Sequence, residues 1–456
     1  MKIIIVGCGK VGSSLVSQLA EEKHDVTIID TNVDKLRQVS DAKDVMCIEG
    51  SGMNTEVLMQ AGLKDTDLLI ATTDSDEKNV LCCLIASSNA ENCQTIARVR
   101  KPEYQKEFVY LKDKMNLKML LNPEQIAASD IYRLMRYPAS VIKCDRFAKG
   151  RVDMLTIEVP KNSIIDGIRI KDLQNFTRCN VLVCAVERND NVYIPSGDFV
   201  LHAGDVISFV GNKSQQMDFL SKLKLDTGIT KSVMICGGSK IAYYVAKLLI
   251  AEEVDVKIID WNIERCKELS ENLETATIIN GDATDEQLLM EEGLQDVDTL
   301  LTLTGLDEEN IMISLYARSV SDCKVITKIN RITFEDVIKS LDLGSVVNPK
   351  LITADHITRY VRGMQNGLGS KIETLYTFAS GSGEALEFRV TEEFKEVNKP
   401  IMDIPLKKGV LIACIIRKGN VIIPGGQDIL CNEDTVIIVT TNMGLKDLND
   451  ILEKEE

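Results

Sequence analysis

Gly7, Gly9 and Gly12 stand in the segment Gly7-Cys8-Gly9-Lys10-Val11-Gly12, a spacing suited to holding a phosphate. The first glycine makes a tight turn, the second lets backbone approach a pyrophosphate, and the third lets a helix pack on a strand. The spacing alone is weak evidence, so its surroundings decide. The apolar run Lys2-Ile3-Ile4-Ile5-Val6 reads as a buried parallel strand, and Ser13 to Glu22 reads as a helix. Free amide groups at that helix start attract an anion. A second apolar run, Val26-Thr27-Ile28-Ile29, ends in Asp30, placed to accept from ribose hydroxyls. A carboxylate there repels a 2′-phosphate, so NAD(H) is expected over NADP(H). The competing reading gives the glycines only the turn of a doubly wound sheet.

The same elements recur. A second copy begins at Ser232-Val233-Met234-Ile235-Cys236-Gly237-Gly238-Ser239-Lys240-Ile241-Ala242 and continues to Asp260. Gly237 follows Gly7 by 230 positions, and Asp260 follows Asp30 by 230. Gly50-Ser51 matches Gly281-Asp282, Asn122-Pro123 matches Asn348-Pro349, and Pro195-Ser196-Gly197 matches Pro424-Gly425-Gly426. An offset that holds across half the chain indicates tandem duplication.

The elements that position these loops alternate strand and helix. After Asp30, a short helix is expected over 32–40, a strand over 45–48, and a helix over 53–62. Asp67 to Thr73 reads as a fourth strand, Thr95 to Val99 as a fifth and Leu117 to Leu121 as a sixth. Ligands of open parallel sheets sit beyond the carboxyl ends of the strands. Ser51, Thr73 and Asp74 are therefore candidate binding positions, with Arg98 and its counterpart Lys328 as candidate phosphate contacts. The bland reading makes Thr73, Asp74 and Asp76 helix caps and the cations surface ion pairs. A helix from Pro123 to about Arg136 carries the chain out of the first fold. Residues 141–225 change to alternating strands, among them 154–159, 181–186 and 205–210, which imply a small α+β domain with an antiparallel sheet. Its copy covers about 371–456. The expected division is 1–137, 138–227, 228–368 and 369–456, in a chain whose 456 residues fit three or four domains.

A net charge of −16 argues against nucleic acid as a partner. No apolar run approaches the roughly 18–20 residues that span a bilayer. The strand at the N-terminus leaves no room for a signal peptide, so a cytoplasmic protein with reduced cysteines is expected. The 13 cysteines and three histidines form no metal-binding pattern, and no metal is expected.

This order of parts resembles the TrkA-type subunits of bacterial and archaeal potassium uptake systems. Each half resembles an RCK (regulator of potassium conductance) unit with TrkA-N and TrkA-C parts. The markers are the Gly7–Gly12 loop, Asp30, Gly50-Ser51, Ala71-Thr72-Thr73-Asp74, Asn79, Asn122-Pro123 and the Pro-Ser-Gly/Pro-Gly-Gly turns. The resemblance implies a non-enzymatic regulator on the inner face of the membrane that binds NAD(H) or adenine nucleotides. It also implies a homo-oligomeric, tetrameric ring under an integral-membrane, TrkH/TrkG-like potassium-translocating subunit.

The second half departs from the pattern. Ser239 stands at the second glycine position, where it adds bulk, and Ala242 at the third. A second site from Gly237, Gly238, Lys240, Ile241, Asp260, Asp282 and Lys328 is therefore expected to bind dinucleotide more weakly or to favour a mononucleotide. Trp261, the only tryptophan, is a candidate neighbour of the adenine. Two other functions compete. A soluble nucleotide sensor would have a cytosolic partner. An NAD-dependent dehydrogenase would need an acid–base pair that the small domains do not offer.

Overall fold

The computed structural model describes the chain except residues 102, 105–106, 108–111, 113–114, 139, 190, 226–229, 332–336, 339–340, 367–371, 379–381, 446 and 454–456. The expected boundaries at 227/228 and 368/369 lie outside the described residues.

The first fold runs β1 (Lys2–Val6), α1 (Lys10–Glu21), β2 (Asp25–Asp30), α2 (Val33–Ala42), β3 (Met46–Glu49), α3 (Thr55–Gln60), β4 (Leu68–Ala71), α4 (Asp76–Asn89), β5 (Gln94–Arg98) and β6 (Leu117–Leu121). Its strands lie in the order β3-β2-β1-β4-β5-β6, all parallel. Parallel sheets are covered on both faces, which explains why β1 is a continuous apolar run. Ile3 and Ile5 pack on the α1 side with Val11, Leu15 and Leu19. Ile4 and Val6 pack on the opposite side with Val80 and Cys83 of α4. The strand order reverses between β1 and β4, and the crevice there opens at the carboxyl ends.

Helix α5 (Pro123–Met135) leads to a small antiparallel sheet of β7 (Val141–Phe147), β8 (Val152–Glu158), β9 (Val181–Arg188), β10 (Asn191–Tyr193) and β11 (Val206–Gly211), with α6 (Leu173–Thr177) and α7 (Lys213–Lys222). The sheet order is β10-β9-β11-β8-β7. β7 was absent from the expected strands. It is an edge strand, and Lys143, Asp145 and Arg146 break its apolar alternation.

The second fold repeats the first as β12 (Ser232–Cys236), α8 (Lys240–Ile250), β13 (Asp255–Asp260), α9 (Ile263–Asn272), β14 (Thr277–Asn280), α10 (Glu286–Glu291), β15 (Thr299–Thr302), α11 (Asp307–Val320), β16 (Lys324–Lys328) and β17 (Ser345–Val347). The order β14-β13-β12-β15-β16-β17 is the same topology. Helix α12 (Pro349–Asn366) leaves it for the second small sheet of β18 (Ile372–Phe378), β19 (Gly383–Arg389), β20 (Val410–Arg417), β21 (Asn420–Ile422) and β22 (Thr435–Thr440).

The outgoing helices are exchanged between halves. Ala127, Ala128, Ile131 and Met135 of α5 join a core with Ile241, Val245 and Leu249 of α8. Reciprocally, Ala354, Ile357 and Val361 of α12 join a core with Val11, Leu15 and Leu19 of α1. The small sheets also pack on each other, with Met154 and Cys184 of one against Cys414 and Ile437 of the other. The two halves thus form one body through three apolar interfaces.

One polar contact fixes this exchange. Lys324, at the start of β16, donates to the carbonyls of Leu134 and Tyr137 (2.6 Å) where α5 ends. Burial pushes its ammonium down to about 7. A lysine whose folded pKa lies below its unfolded value is charged more readily in the unfolded chain. Its contribution to stability therefore rises from pH 7 toward pH 10. Lys324→Met is expected to lower stability by about 1–3 kcal/mol, with a larger deficit at pH 9 than at pH 7. Thermal unfolding of the full chain at both pH values checks this, and equal deficits would contradict it.

Candidate functional site

The loop joining β1 to α1 is built as its glycines require. Gly7 has φ +102°, and a Cβ there would lie 2.9 Å from the backbone of Thr72 and Thr73. A Cβ on Gly12 would lie 2.0 Å from the carbonyl oxygen of Gly7. Gly9 differs: a Cβ there would meet nothing within 4 Å, so the second glycine faces open space. Gly9 is also the N-cap of α1, and no side chain accepts from the first amides of that helix. An uncapped helix start beside open space is an anion cradle. Cys8 and Val11 are buried, and Lys10 is exposed at the mouth. Burial and then Asp30 push the Cys8 thiol up to about 11, so it stays protonated at neutral pH.

Asp30 closes the loop from the end of β2. Its Oδ2 accepts from the Cys8 amide at 2.6 Å and its Oδ1 from the Asn32 amide at 2.8 Å. Each carboxylate oxygen keeps a second lone pair for a ligand hydroxyl. Gly50 and Ser51 follow β3, and Ser51 Oγ accepts from the Met53 amide at 3.2 Å. Across the switch point, Thr72 Oγ1 donates toward the carbonyl of Gly7 at 3.3 Å and ties the β4 loop to the glycine loop.

The loop Thr73-Asp74 is held from below by Asn79, which is fully buried. Asn79 Oδ1 accepts from the amide and hydroxyl of Thr73, both at 2.7 Å, and its Nδ2 donates to the Arg98 carbonyl at 2.9 Å. Asn310 repeats this in the second half, joining the Thr304 amide (2.9 Å) to the Lys328 carbonyl (3.0 Å). The 231-residue offset that links Asn79 to Asn310 is visible in the sequence and would have found this second pin. Neither aspartate caps α4, since Ser75 does. Asp74 is exposed and pairs with Lys78, whose ammonium holds its carboxyl below the usual range. Asp76 turns back to accept from the amides of Arg100 and Lys101, both at 2.9 Å.

Arg98 donates to the carbonyl of Thr73, and its Nε is buried with no partner among the described residues. Its counterpart Lys328 donates to the Leu303 carbonyl at 3.1 Å, and burial pushes its ammonium down to about 8. In the geometry seen here, both cations hold the loop after the fourth strand.

The second crevice repeats the first in its acid. Asp260 Oδ2 accepts from the Gly238 amide at 2.6 Å and Oδ1 from the Asn262 amide at 2.8 Å. Gly237 has φ +99°. The phosphate end differs. Ser239 is the N-cap of α8, and its Oγ accepts from the Ala242 amide at 3.3 Å. That hydroxyl satisfies an amide that is free in α1. Arg265, which sequence reasoning passed over, donates to the Gly238 carbonyl at 2.5 Å. It brings a guanidinium onto a loop whose counterpart in the first half faces Lys35. Lys240 is exposed and Ile241 buried, as Lys10 and Val11 are. Asp282 is exposed and engaged locally, accepting from the amide and hydroxyl of Thr284 at 2.9 and 2.7 Å. Trp261 is 78% exposed directly after Asp260.

The first loop offers what a phosphate needs: open space at Gly9 and uncapped amides, with an acid across the crevice. In the second loop, a hydroxyl already occupies the helix start.

Comparison with known proteins agrees with this architecture. The TrkA-N domain profile matches residues 3–114 and 233–349, and the TrkA-C domain profile matches 154–224 and 385–453. The Trk system potassium uptake protein TrkA homolog 1 of Methanosarcina mazei is 32% identical, covering 96% of this chain and 97% of that protein. The TrkA homolog of Archaeoglobus fulgidus is 33% identical, with 96% and 97% covered. Among solved structures, the GsuK channel bound to NAD superposes with a TM-score of 0.61 at 18% identity, covering 96% of this chain and 76% of that one. That likeness concerns the fold. With both domain types matched twice and relatives aligned over nearly its whole length, the chain belongs to the TrkA family.

Proposed function

We propose that this chain is the regulatory subunit of a potassium uptake system, and that nucleotide bound in its first fold sets the state of its membrane partner. The names of its full-length relatives support the potassium role. The NAD in the related GsuK structure supports the ligand class. Its first site comprises Gly7, Cys8, Gly9, Lys10, Val11, Gly12, Asp30, Ser51, Thr73 and Asp74, with Arg98 supporting the loop. A second, weaker site comprises Gly237, Gly238, Lys240, Ile241, Asp260, Asp282 and Lys328. The proposed division of the chain into folds and small domains is 1–137, 138–227, 228–368 and 369–456.

The observation that carries this reading is the seating of α12 on α1. The helix whose start receives phosphate is packed against the helix that leads to the second small domain. A ligand that settles differently on α1 in two arrangements shifts their populations by that difference in affinity, and α12 transmits it. No helix among the described residues is long and apolar enough to cross a membrane. On this reading the ion path belongs to a separate integral-membrane subunit of the TrkH/TrkG kind, against whose cytoplasmic face a tetrameric ring of this chain assembles.

The test is potassium flux through that subunit in vesicles, with and without this chain and NADH, ADP or ATP. Flux that changes on adding the chain, and changes again with nucleotide, is the expected result. Flux indifferent to both would replace this reading with that of a soluble nucleotide sensor.

A further inference from the structure

The repeat places two equivalent seams between the halves, and they are not chemically alike. In the first, the start of α1 faces the start of α12 across a cavity of about 290 Å3 lined by Lys10, Ser13, Ser14, Asn330, Asn348, Lys350 and Leu351. In the second, the start of α8 faces the start of α5. Tyr243 and Tyr244 stand where the first seam has Ser13 and Ser14, and Glu124 stands where it has Lys350. Tyr244 fills the second seam: its hydroxyl accepts from Asn122 Nδ2 at 3.1 Å and reaches the Arg100 carbonyl at 3.4 Å.

The first seam has no such filling. Asn348 uses its Oδ1 as Asn122 does, accepting from the amides of Lys350 (3.0 Å) and Leu351 (3.2 Å). Its Nδ2, the equivalent of the donor bound by Tyr244, has no partner among the described residues. The Lys10 ammonium likewise makes no hydrogen bond or ion pair among the described residues, while the Lys10 carbonyl accepts from the hydroxyls of Ser13 at 3.3 Å and Ser14 at 3.0 Å. Lys350 donates to the Asn330 carbonyl at 2.7 Å. Its ammonium is pushed below the ordinary range by burial and then by Lys10. Lys328, 6% exposed, also feels the charge of Lys10. The nearby acid, Asp307, turns both oxygens to Asn330 and the Arg331 amide. Lysines thus converge on this cavity in a chain whose net charge is −16. Like charges that face one another in a half-buried space are costly; Asp307 offsets part of that cost at Lys328 and Lys350, and a bound anion removes more of it.

We infer that this seam is a phosphate-group site, absent from the second seam, in which Lys350 and Asn348 of one half and Lys10 of the other hold a single oxyanion. Free inorganic phosphate supplies that group, as does the terminal phosphate of a nucleotide seated on α1. Only the latter source rests on the function proposed above.

Calorimetric titration of the full chain with inorganic phosphate, NADH, ADP and ATP tests the site. Lys350→Glu installs the residue that the repeat carries at this place, and Ser14→Tyr closes the cavity as Tyr244 closes its twin. Unchanged melting temperatures verify that both variants fold. We expect both to weaken the phosphate interaction at least tenfold while NADH affinity is unchanged. Loss of inorganic phosphate binding identifies the free ion. Loss of a preference for ATP over ADP identifies the terminal phosphate. Wild-type protein that shows neither, or variants that retain both, would overturn the proposal. Failure of the nucleotide reading would appear separately, as absent NADH and ADP binding in wild type.

Discussion

Asp30→Ala should lower NADH affinity by about 10- to 100-fold, the factor expected when hydrogen bonds to a charged group worth about 1.5–3 kcal/mol are lost. Two effects add. The carboxylate is the acceptor for ribose hydroxyls, and it also anchors the Cys8 and Asn32 amides that shape the loop. Asp30→Asn separates them. Its amide oxygen accepts one of those backbone bonds, while the charge that repels a 2′-phosphate is gone. Asp30→Asn should therefore narrow the preference for NADH over NADPH while retaining more NADH affinity than the alanine variant. The equivalent Asp260→Ala should change total NADH binding little, because the loop it supports is already capped by Ser239. Titration of the three variants with both cofactors decides the matter. Tighter NADPH than NADH binding in wild type, or no loss in Asp30→Ala, would remove Asp30 from the site.

The strands and the glycine loops were legible because parallel strands buried on both faces must be apolar throughout, and the duplication presented each signal twice. Features that depend on tertiary partners were not. The Asn122-Pro123 and Asn348-Pro349 signals mark where α5 and α12 begin, but nothing local says on which fold each helix lands. The alanines that permit the close crossing, Ala127, Ala128 and Ala354, are also ordinary helix formers. β7 was missed because it is an edge strand, whose outward positions carry charge as protection against further pairing. Arg98 and Lys328 read as phosphate contacts because a cation at a strand end faces the ligand crevice. The fold also needs something to hold the carbonyls after β4 and β15, and these side chains do so. Arg265 carried no signal, since its counterpart Lys35 meets the loop through a backbone carbonyl that accepts from the Cys8 thiol. The bulk of Ser239 was visible, whereas its role as a cap depends on the helix start that it satisfies.

That cap leads to a substitution whose effects on binding and stability diverge. Gly9→Ser introduces into α1 the residue that α8 carries. Space is available, because nothing lies within 4 Å of the added Cβ. The Gly9 backbone is already extended, with φ −80° and ψ −171°, close to the −62° and 168° of Ser239. The new hydroxyl can therefore accept from the Gly12 amide as Ser239 accepts from Ala242. Replacing a glycine N-cap by serine changes helix stability by only a few tenths of a kcal/mol, in the favourable direction. The same hydroxyl takes up an amide meant for phosphate and stands where the pyrophosphate approaches. NADH affinity should fall by about tenfold or more, as expected for the loss of one or two charge-assisted hydrogen bonds. The melting temperature should stay level or rise slightly. The reciprocal Ser239→Gly should cost little stability and strengthen dinucleotide binding in the second half, which titration in a Gly9→Ser background isolates. If Gly9→Ser binds NADH as wild type does, the open space at Gly9 is not the phosphate cradle. The difference between the halves would then have to arise elsewhere, with Arg265 the next residue to change.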